Sequence, residues 1–187
     1  MEKNTKLIVI IGPNGVGKSS AAKNFITRCP KSAFIDSDWC RVINPFPFTV
    51  ETKKTVTDNI FCLIRNYLQC SDIDYVVFTY GFHGERKDIY DSVLQRLQKE
   101  KINFELYMVI LKCSLEENIE RMKSDGREEN RIKRGIDNTF HFYDRYNYPT
   151  IDTTALEIDQ VADRIAEMVG IDRGWISGAG VHGRLMG

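Results

Sequence analysis

Apolar residues fall along this chain in two alternating rhythms. Unbroken runs come at Leu7-Ile8-Val9-Ile10-Ile11, Ser32-Ala33-Phe34-Ile35, Tyr75–Tyr80 and Phe104–Leu111. Runs of this length, rich in branched and aromatic residues, predict buried strands. Between them the apolar positions recur at helical spacing: Ala22, Phe25, Ile26 and Cys29; then Val56, Ile60, Leu63, Ile64, Tyr67 and Leu68, a helix over about 50–69; then Tyr90, Val93, Leu94 and Leu97. After the fourth strand, Leu115, Ile119 and Met122 continue the pattern, and Ile158, Val161, Ala162, Ile165, Met168 and Val169 end it. A helix near 136–146 and a short strand at Thr150-Ile151 fill the gap. Ser114-Leu115-Glu116-Glu117 and Thr154-Ala155-Leu156-Glu157 both fit the S/T-x-x-E capping box, which marks a helix start. Alternation of this kind predicts an α/β fold with a parallel sheet covered on both faces. Ligands in such sheets bind beyond the carboxyl ends of the strands, so residues just after each strand are where chemistry is expected.

The rhythm is interrupted over about 123–136, a polar stretch punctuated by Gly126 and Gly135 and expected to act as a lid. It ends near Gly170, so residues 1–170 read as one domain and 171–187 as a Gly-rich flexible tail. With 187 residues, 42% of them hydrophobic and 28% charged, the chain can bury an ordinary core. Lys+Arg and Asp+Glu are equal at 26 each, so no global basic field suggests nucleic acid. No apolar run is long enough to span a bilayer, and no signal peptide fits the first residues. The five cysteines are odd in number and form no C-x-x-C pair, which suits reduced thiols in the cytoplasm.

The first strand runs directly into Gly12-Pro13-Asn14-Gly15-Val16-Gly17-Lys18-Ser19, a full match to G-x-x-x-x-G-K-S/T, followed by Ser20 and a helix. Glycines let backbone N–H groups approach a polyphosphate, and the helix start adds unpaired N–H groups and a positive dipole end. Lys18 supplies charge for the β- and γ-phosphates, and Ser19 a hydroxyl for Mg²⁺. The second strand ends in Asp36-Ser37-Asp38; if extended geometry persists, both carboxylates leave one face, one for the metal and one for a substrate proton. Arg41 follows on the acceptor side. The third strand lacks the acid that motor ATPases and GTPase switches use for Mg²⁺, which puts Asp36 in that role. Beyond it, Phe82 is expected to pack on the acceptor, with His83 and Arg86 hydrogen-bonding it. Arg127, Arg131 and Arg134 are spaced i, i+4, i+7, one face of a helix that would bring positive charge over the phosphates. His141 and His182 read as structural or exposed.

Taken together, these motifs resemble the small P-loop kinases: the shikimate and gluconate kinase group, and the chloramphenicol phosphotransferase-like and zeta-toxin-like kinases. The likeness spans roughly residues 5–170. It implies the three-layer α/β/α P-loop NTPase fold, a five-stranded parallel sheet in order 2-3-1-4-5 and a lid between strands four and five. It also implies metal or base work for Asp36 and acceptor binding for Asp38. The lid arginines of the group map to Arg127, with Arg131 or Arg134, and Arg127 would stack on the base. Ile151-Asp152-Thr153-Thr154 occupies the place of the adenine loop, bringing in Asp152 and Thr153. Gly81 stands alone where shikimate kinases carry a glycine run, so shikimate itself is not expected. The reading is an ATP- and Mg²⁺-dependent phosphotransferase with a small-molecule acceptor, as monomer or homodimer. Its alternatives are a nucleoside or nucleoside-monophosphate kinase, with Trp39, Phe46 or Phe82 stacking on the base, and an ATP-binding regulatory module with little catalysis.

Overall fold

The computed structural model describes residues 4–171, and the Gly-rich tail after Ile171 lies outside them. Its centre is the first strand, β1 (Thr5–Ile11), in which Leu7 through Ile11 are all fully buried. A strand buried on both faces needs apolar residues at every position, which is why this run does not alternate. Successive side chains still point to opposite faces. Leu7, Val9 and Ile11 enter one core with Ile60, Phe61 and Leu97; Ile8 and Ile10 enter the other with Phe25 and Ile165.

Around β1 the chain lays down α1 (Lys18–Arg28), β2 (Ser32–Asp36), α2 (Val50–Leu68), β3 (Tyr75–Thr79), α3 (Arg86–Lys99), β4 (Phe104–Lys112), α4 (Leu115–Ser124), α5 (Glu129–Thr139), β5 (Thr150–Asp152) and α6 (Ile158–Met168). The sheet is five-stranded, in order β2-β3-β1-β4-β5, with every pairing parallel. The residues of α1 and α6 cover one face and those of α2 and α3 the other. Fold class and strand order are as expected. No helix among the described residues is long and apolar enough to cross a membrane.

Four local expectations need correction. The helix expected near 136–146 begins at Glu129 and ends at Thr139, with a short 3-10 turn at Phe142–Arg145 beyond it. Its buried face is Ile132, Gly135 and Thr139, a stripe with one large apolar residue that hydrophobic periodicity cannot register. Only half of the box at Ser114 forms. The Ser114 hydroxyl accepts from the Glu117 N–H at 3.1 Å, but the Ser114 N–H donates to the Thr154 hydroxyl at 2.8 Å. That diverts Thr154 from the second expected box, and α6 is instead started by Glu157, whose N–H donates to the Gln160 side chain at 2.9 Å. Ile158 and Met168, expected on the buried face, are exposed; Ala166 takes a buried place beside Val161, Ala162 and Ile165.

One buried polar group ties the sheet to the segment after α5. Tyr143 is fully buried, and its hydroxyl accepts the N–H of Phe82 at 3.0 Å. It thus holds the chain leaving β3 next to the turn after α5. Tyr143→Phe keeps the ring but leaves the Phe82 N–H short of an acceptor. A loss of about 1–3 kcal/mol in unfolding free energy is expected by urea titration, and an unchanged midpoint would show that the ring alone holds the turn.

Candidate active site

The loop between β1 and α1 has its geometry imposed by close packing. Gly12 has φ 151°, and a Cβ there would lie 2.4 Å from the carbonyl oxygen of Leu111, which is backbone and cannot yield. Gly17 caps α1 in the left-handed region at φ 97° with no side chain covering the helix end, and no acidic residue sits in the first turn. The first N–H groups of α1 and its dipole end are therefore left for an anion.

The loop carbonyls are claimed from behind. Lys18 Nζ donates to Gly12 O at 2.9 Å and to Pro13 O at 2.8 Å. Asn118 of α4 donates to Asn14 O at 3.0 Å, and Arg121 donates to Val16 O at 3.1 Å. The Asn14 N–H donates to the Thr139 hydroxyl of α5 at 3.0 Å, and that hydroxyl donates on to Gly135 O at 2.7 Å. Asn14 through Ser20 line a cleft of about 1430 Å³. Gly12 and Pro13 contribute backbone from beneath.

On the β2 side, the Ser19 hydroxyl donates to Asp36 Oδ2 at 2.7 Å and the Asp38 N–H donates to Asp36 Oδ1 at 3.0 Å. Asp36 is the last residue of β2 and pairs in register with Thr79 of β3. The Thr79 hydroxyl is buried and has no hydrogen-bond partner among the described residues, although Thr79 lines the cleft. A hydroxyl, a carboxylate and an unsatisfied second hydroxyl form a hard oxygen set, which suits Mg²⁺. Threonine thus stands at the end of the strand where an acid was sought and not found. The extended geometry expected through Asp38 does not persist. Asp38 turns into the helical region, and its exposed carboxylate pairs with Arg41, whose Nε donates to it at 3.1 Å. Both aspartates nevertheless line the cleft.

Phe82 corrects the acceptor-side reading. It is fully buried, with its ring centroid 4.8 Å from that of Tyr90 and 5.6 Å from that of Tyr146, so it is core and touches no acceptor. His83 and Arg86 do line the cleft. A Cβ at Gly81 would meet His83 Cε1 at 3.0 Å and Arg86 Nη1 at 3.4 Å, so that glycine gives both side chains their room. Burial, then Arg86, Lys18 and Arg41, push the His83 imidazole down to about 4, against a smaller opposing pull from Asp38. Its ring is neutral at pH 7, and its buried Nδ1 has no partner. Lys18 is pulled down to about 8, first by burial and then by Arg127 and Arg86, with Asp38 and Asp36 opposing.

The three lid arginines all reach the cleft, but not from one helix. Arg131 and Arg134 lie on α5; Arg127 precedes it, in the turn after α4, and pairs with Asp125 at 3.0 Å. Asp152 and Thr153 do not line the cleft. Asp152 accepts the Thr154 N–H at 2.9 Å in an Asx turn. Thr153 is buried, its hydroxyl accepting from Arg121 at 2.9 Å. The cleft wall there is Thr154 through Ile158. Arg121 was not singled out from sequence. It clamps that loop to the phosphate loop while Glu117 holds its Nε at 2.7 Å, and the i, i+4 Glu–Arg spacing was the available signal.

A parallel sheet in this order, with a glycine loop capping α1 at its carboxyl edge, defines a P-loop nucleotide-binding domain of the small-kinase type. The family described as an AAA domain (AAA_18) matches residues 8–140, and the chain belongs to it. No curated protein matches the chain in sequence. Among solved structures, a sugar kinase from Janibacter sp. HTCC2649 is similar at 15% identity, with TM-score 0.62 over 91% of this chain and 98% of that one. A gluconokinase from Sinorhizobium meliloti 1021 gives 15% identity and TM-score 0.62 over 90% and 94%. The APS kinase CysC of Mycobacterium tuberculosis, in complex with AMPPNP and APS, gives 18% and 0.59 over 89% and 98%. At such identities the likeness establishes the shared fold.

The depressed histidine has a stability consequence. Between pH 6.5 and about 4 the unfolded chain takes up a proton at His83 that the folded chain refuses, so this group's contribution falls as the pH drops through that window. In wild type the His83 ring resonances should stay neutral down to about pH 4, and His83→Asn should show a smaller loss of urea midpoint between pH 7 and pH 5. A ring that titrates near 6.5 would place it in open solvent.

Proposed function

We propose that this protein transfers the γ-phosphoryl group of ATP to a hydroxyl of a small-molecule acceptor. The observation that carries the reading is the junction of Ser19, Asp36 and Thr79 beside an uncapped α1, opening into the same cleft as Asp38 and the lid arginines. The unpaired N–H groups at the start of α1 and Lys18 bind the phosphates. Ser19 and Asp36 would hold Mg²⁺, which when bound neutralises charge between the β- and γ-phosphates.

The division of labour between the aspartates follows from their partners. Asp36 has both oxygens engaged, by the Ser19 hydroxyl and the Asp38 N–H, so it is the fixed metal-side carboxylate. Asp38 gives Oδ1 to Arg41, leaving Oδ2 without a partner among the described residues, so it is the proton acceptor. The acceptor oxygen attacks the γ-phosphorus, its proton passes to Asp38, and the bond to the β-phosphate oxygen breaks with ADP as the leaving group. Arg127, Arg131 and Arg134 stabilise the charge on the transferring group and, by covering it, exclude water that would otherwise hydrolyse ATP. Within this scheme residues 123–136 form the lid of a single kinase domain.

Calorimetry and a coupled ADP assay across hydroxyl-bearing metabolites test the scheme. Lys18→Ala should weaken ATP binding and transfer together; Asp38→Asn should leave ATP binding near wild type and lower turnover by about 10²-fold or more. Arg127→Ala should lower turnover at least about tenfold with little change in melting temperature. ATP binding with no transfer to any acceptor, in wild type and Asp38→Asn alike, would show a nucleotide-binding module instead.

A further inference from the structure

Arg86 is a half-buried cation of the cleft without a side-chain partner. Among the described residues it makes no ion pair or hydrogen bond, a state it shares with the exposed Arg131 and Arg134, whereas Arg41 has Asp38 and Arg127 has Asp125. It is half-buried at the first residue of α3, where the helix dipole disfavours positive charge. Burial and then the nearby Arg41 hold its guanidinium below the ordinary arginine range. A guanidinium stays charged in proteins, so this cost is borne by the fold.

The surroundings say what would relieve it. Behind the cleft lies a recess of about 10 Å³ between the 37–48 segment and helices α2 and α3, with room for about one water-sized group. Ser37, Arg41, Tyr80 and Arg86 line both spaces, so they form the threshold between them. The rest of the recess is Phe46, Phe48, Val56 and Ile89 with Lys53, and it contains no carboxylate. Two guanidinium groups, a serine and a tyrosine thus converge on a small space walled by apolar side chains. His83 adds an unsatisfied Nδ1 at the cleft side of the same threshold. Planar forked donors of this kind match oxyanions.

We propose that the acceptor is an anion, and that its carboxylate or phosphate group is held at this threshold between Arg86 and Arg41. The inference rests on the kinase reading for the word acceptor, but the oxyanion site stands apart from catalysis. Arg86 is a substrate-binding residue, and the hydroxyl to be phosphorylated lies on the Asp38 side of the bound molecule. His83, neutral, is placed to hydrogen-bond the acceptor between the two.

The test keeps the phosphate loop filled. Protein saturated with Mg²⁺ and AMPPNP is titrated with inorganic phosphate or acetate, following melting temperature and calorimetric heat, with sodium chloride at matched ionic strength as control. One or both oxyanions should bind saturably at least tenfold more tightly than chloride. The preferred one tells a phosphate-bearing acceptor from a carboxylate-bearing one. Arg86→Met should abolish that binding and, lacking the uncompensated charge, melt no lower than wild type without oxyanion. A merely structural arginine would lower the melting temperature instead. Arg86→Lys, which keeps charge but loses the fork, should bind at least threefold more weakly than wild type and covers the case in which the methionine variant does not fold. Equal response to oxyanions and chloride, or oxyanion binding unchanged in these variants, overturns the proposal. Transfer assays separate the two readings: phosphorylation of neutral alcohols in preference to their acids or phosphates sinks the anionic acceptor alone, whereas threshold binding with no transfer to any acceptor sinks the kinase alone.

Discussion

The bare amino end of α1 is the constraint to which the rest of the molecule conforms. A helix that begins at Lys18 after a left-handed glycine has no side-chain cap and no acid in its first turn, so its dipole end is left uncompensated at the cleft edge of the sheet. Keeping it so requires that nothing nearby fold over it. The chain achieves this by fastening the loop's carbonyls outward, to Lys18, Asn118 and Arg121, and by packing Gly12 against the Leu111 carbonyl too tightly for any side chain. With Thr139, three elements distant in sequence, β4, α4 and α5, therefore serve one short loop.

This fastening limits how the lid can work. The notion of a whole segment swinging over the nucleotide does not suit α5, whose Thr139 hydroxyl takes the Asn14 N–H and whose Gly135 backbone accepts from that same hydroxyl. Gly135 would bring a Cβ to 3.7 Å from the Asn14 Cβ, ordinary contact distance, so helix and loop touch there. Arg127, in the turn after Gly126 at φ 70°, lies farthest from that anchor, then Arg131, then Arg134. The i, i+4, i+7 spacing was a sound pointer to three arginines at one cleft, although only two of them share the helix.

Legibility from sequence followed the physics of each feature. The strands and the order of layers were legible because burial on both faces leaves continuous apolar runs, and the phosphate loop because glycine requirements are strict at each position. Phe82 was misread because its neighbours His83 and Arg86 do face the cleft. What buries its ring are Tyr80, Tyr90 and Tyr146, while the Tyr143 hydroxyl takes the Phe82 N–H across sixty-one residues of sequence. The roles of Asn118, Thr139 and Arg121 are hydrogen-bonding roles set by tertiary contacts, and no periodicity announces a hydroxyl aimed at a backbone amide. The two capping boxes show the same limit. Thr154 has the right neighbour at the right spacing, but the Ser114 N–H across the β4–β5 edge takes its hydroxyl first.

The placement of charge, more than its sum, distinguishes the site. Twenty-six cations balance twenty-six anions overall, and the cleft gathers six carboxylates with seven cations, Lys18, Arg41, Arg86, Arg121, Arg127, Arg131 and Arg134. Their mutual repulsion is visible in Lys18, which Arg127 and Arg86 depress further after burial has acted, and in Arg86, which Arg41 depresses in turn. Low-dielectric walls strengthen such a field locally while opposite charges elsewhere cancel it at a distance. An anion is therefore drawn to the points of the cleft where cations lack a carboxylate partner, and the near balance of the lining leaves no general field for polyanions. Two centres of that field can be told apart by their partners: one at the α1 end, where the chain's own carbonyls and Asp36 organise the donors, and one at the α3 end, where no carboxylate among the described residues pairs with Arg86 and Asp38 acts on it only without contact. On the proposed scheme, a reaction that brings a nucleotide tail to the first and a charged acceptor to the second would relieve both at once, with Arg127, Arg131 and Arg134 in the wall of the same cleft to offset the repulsion between the two anions.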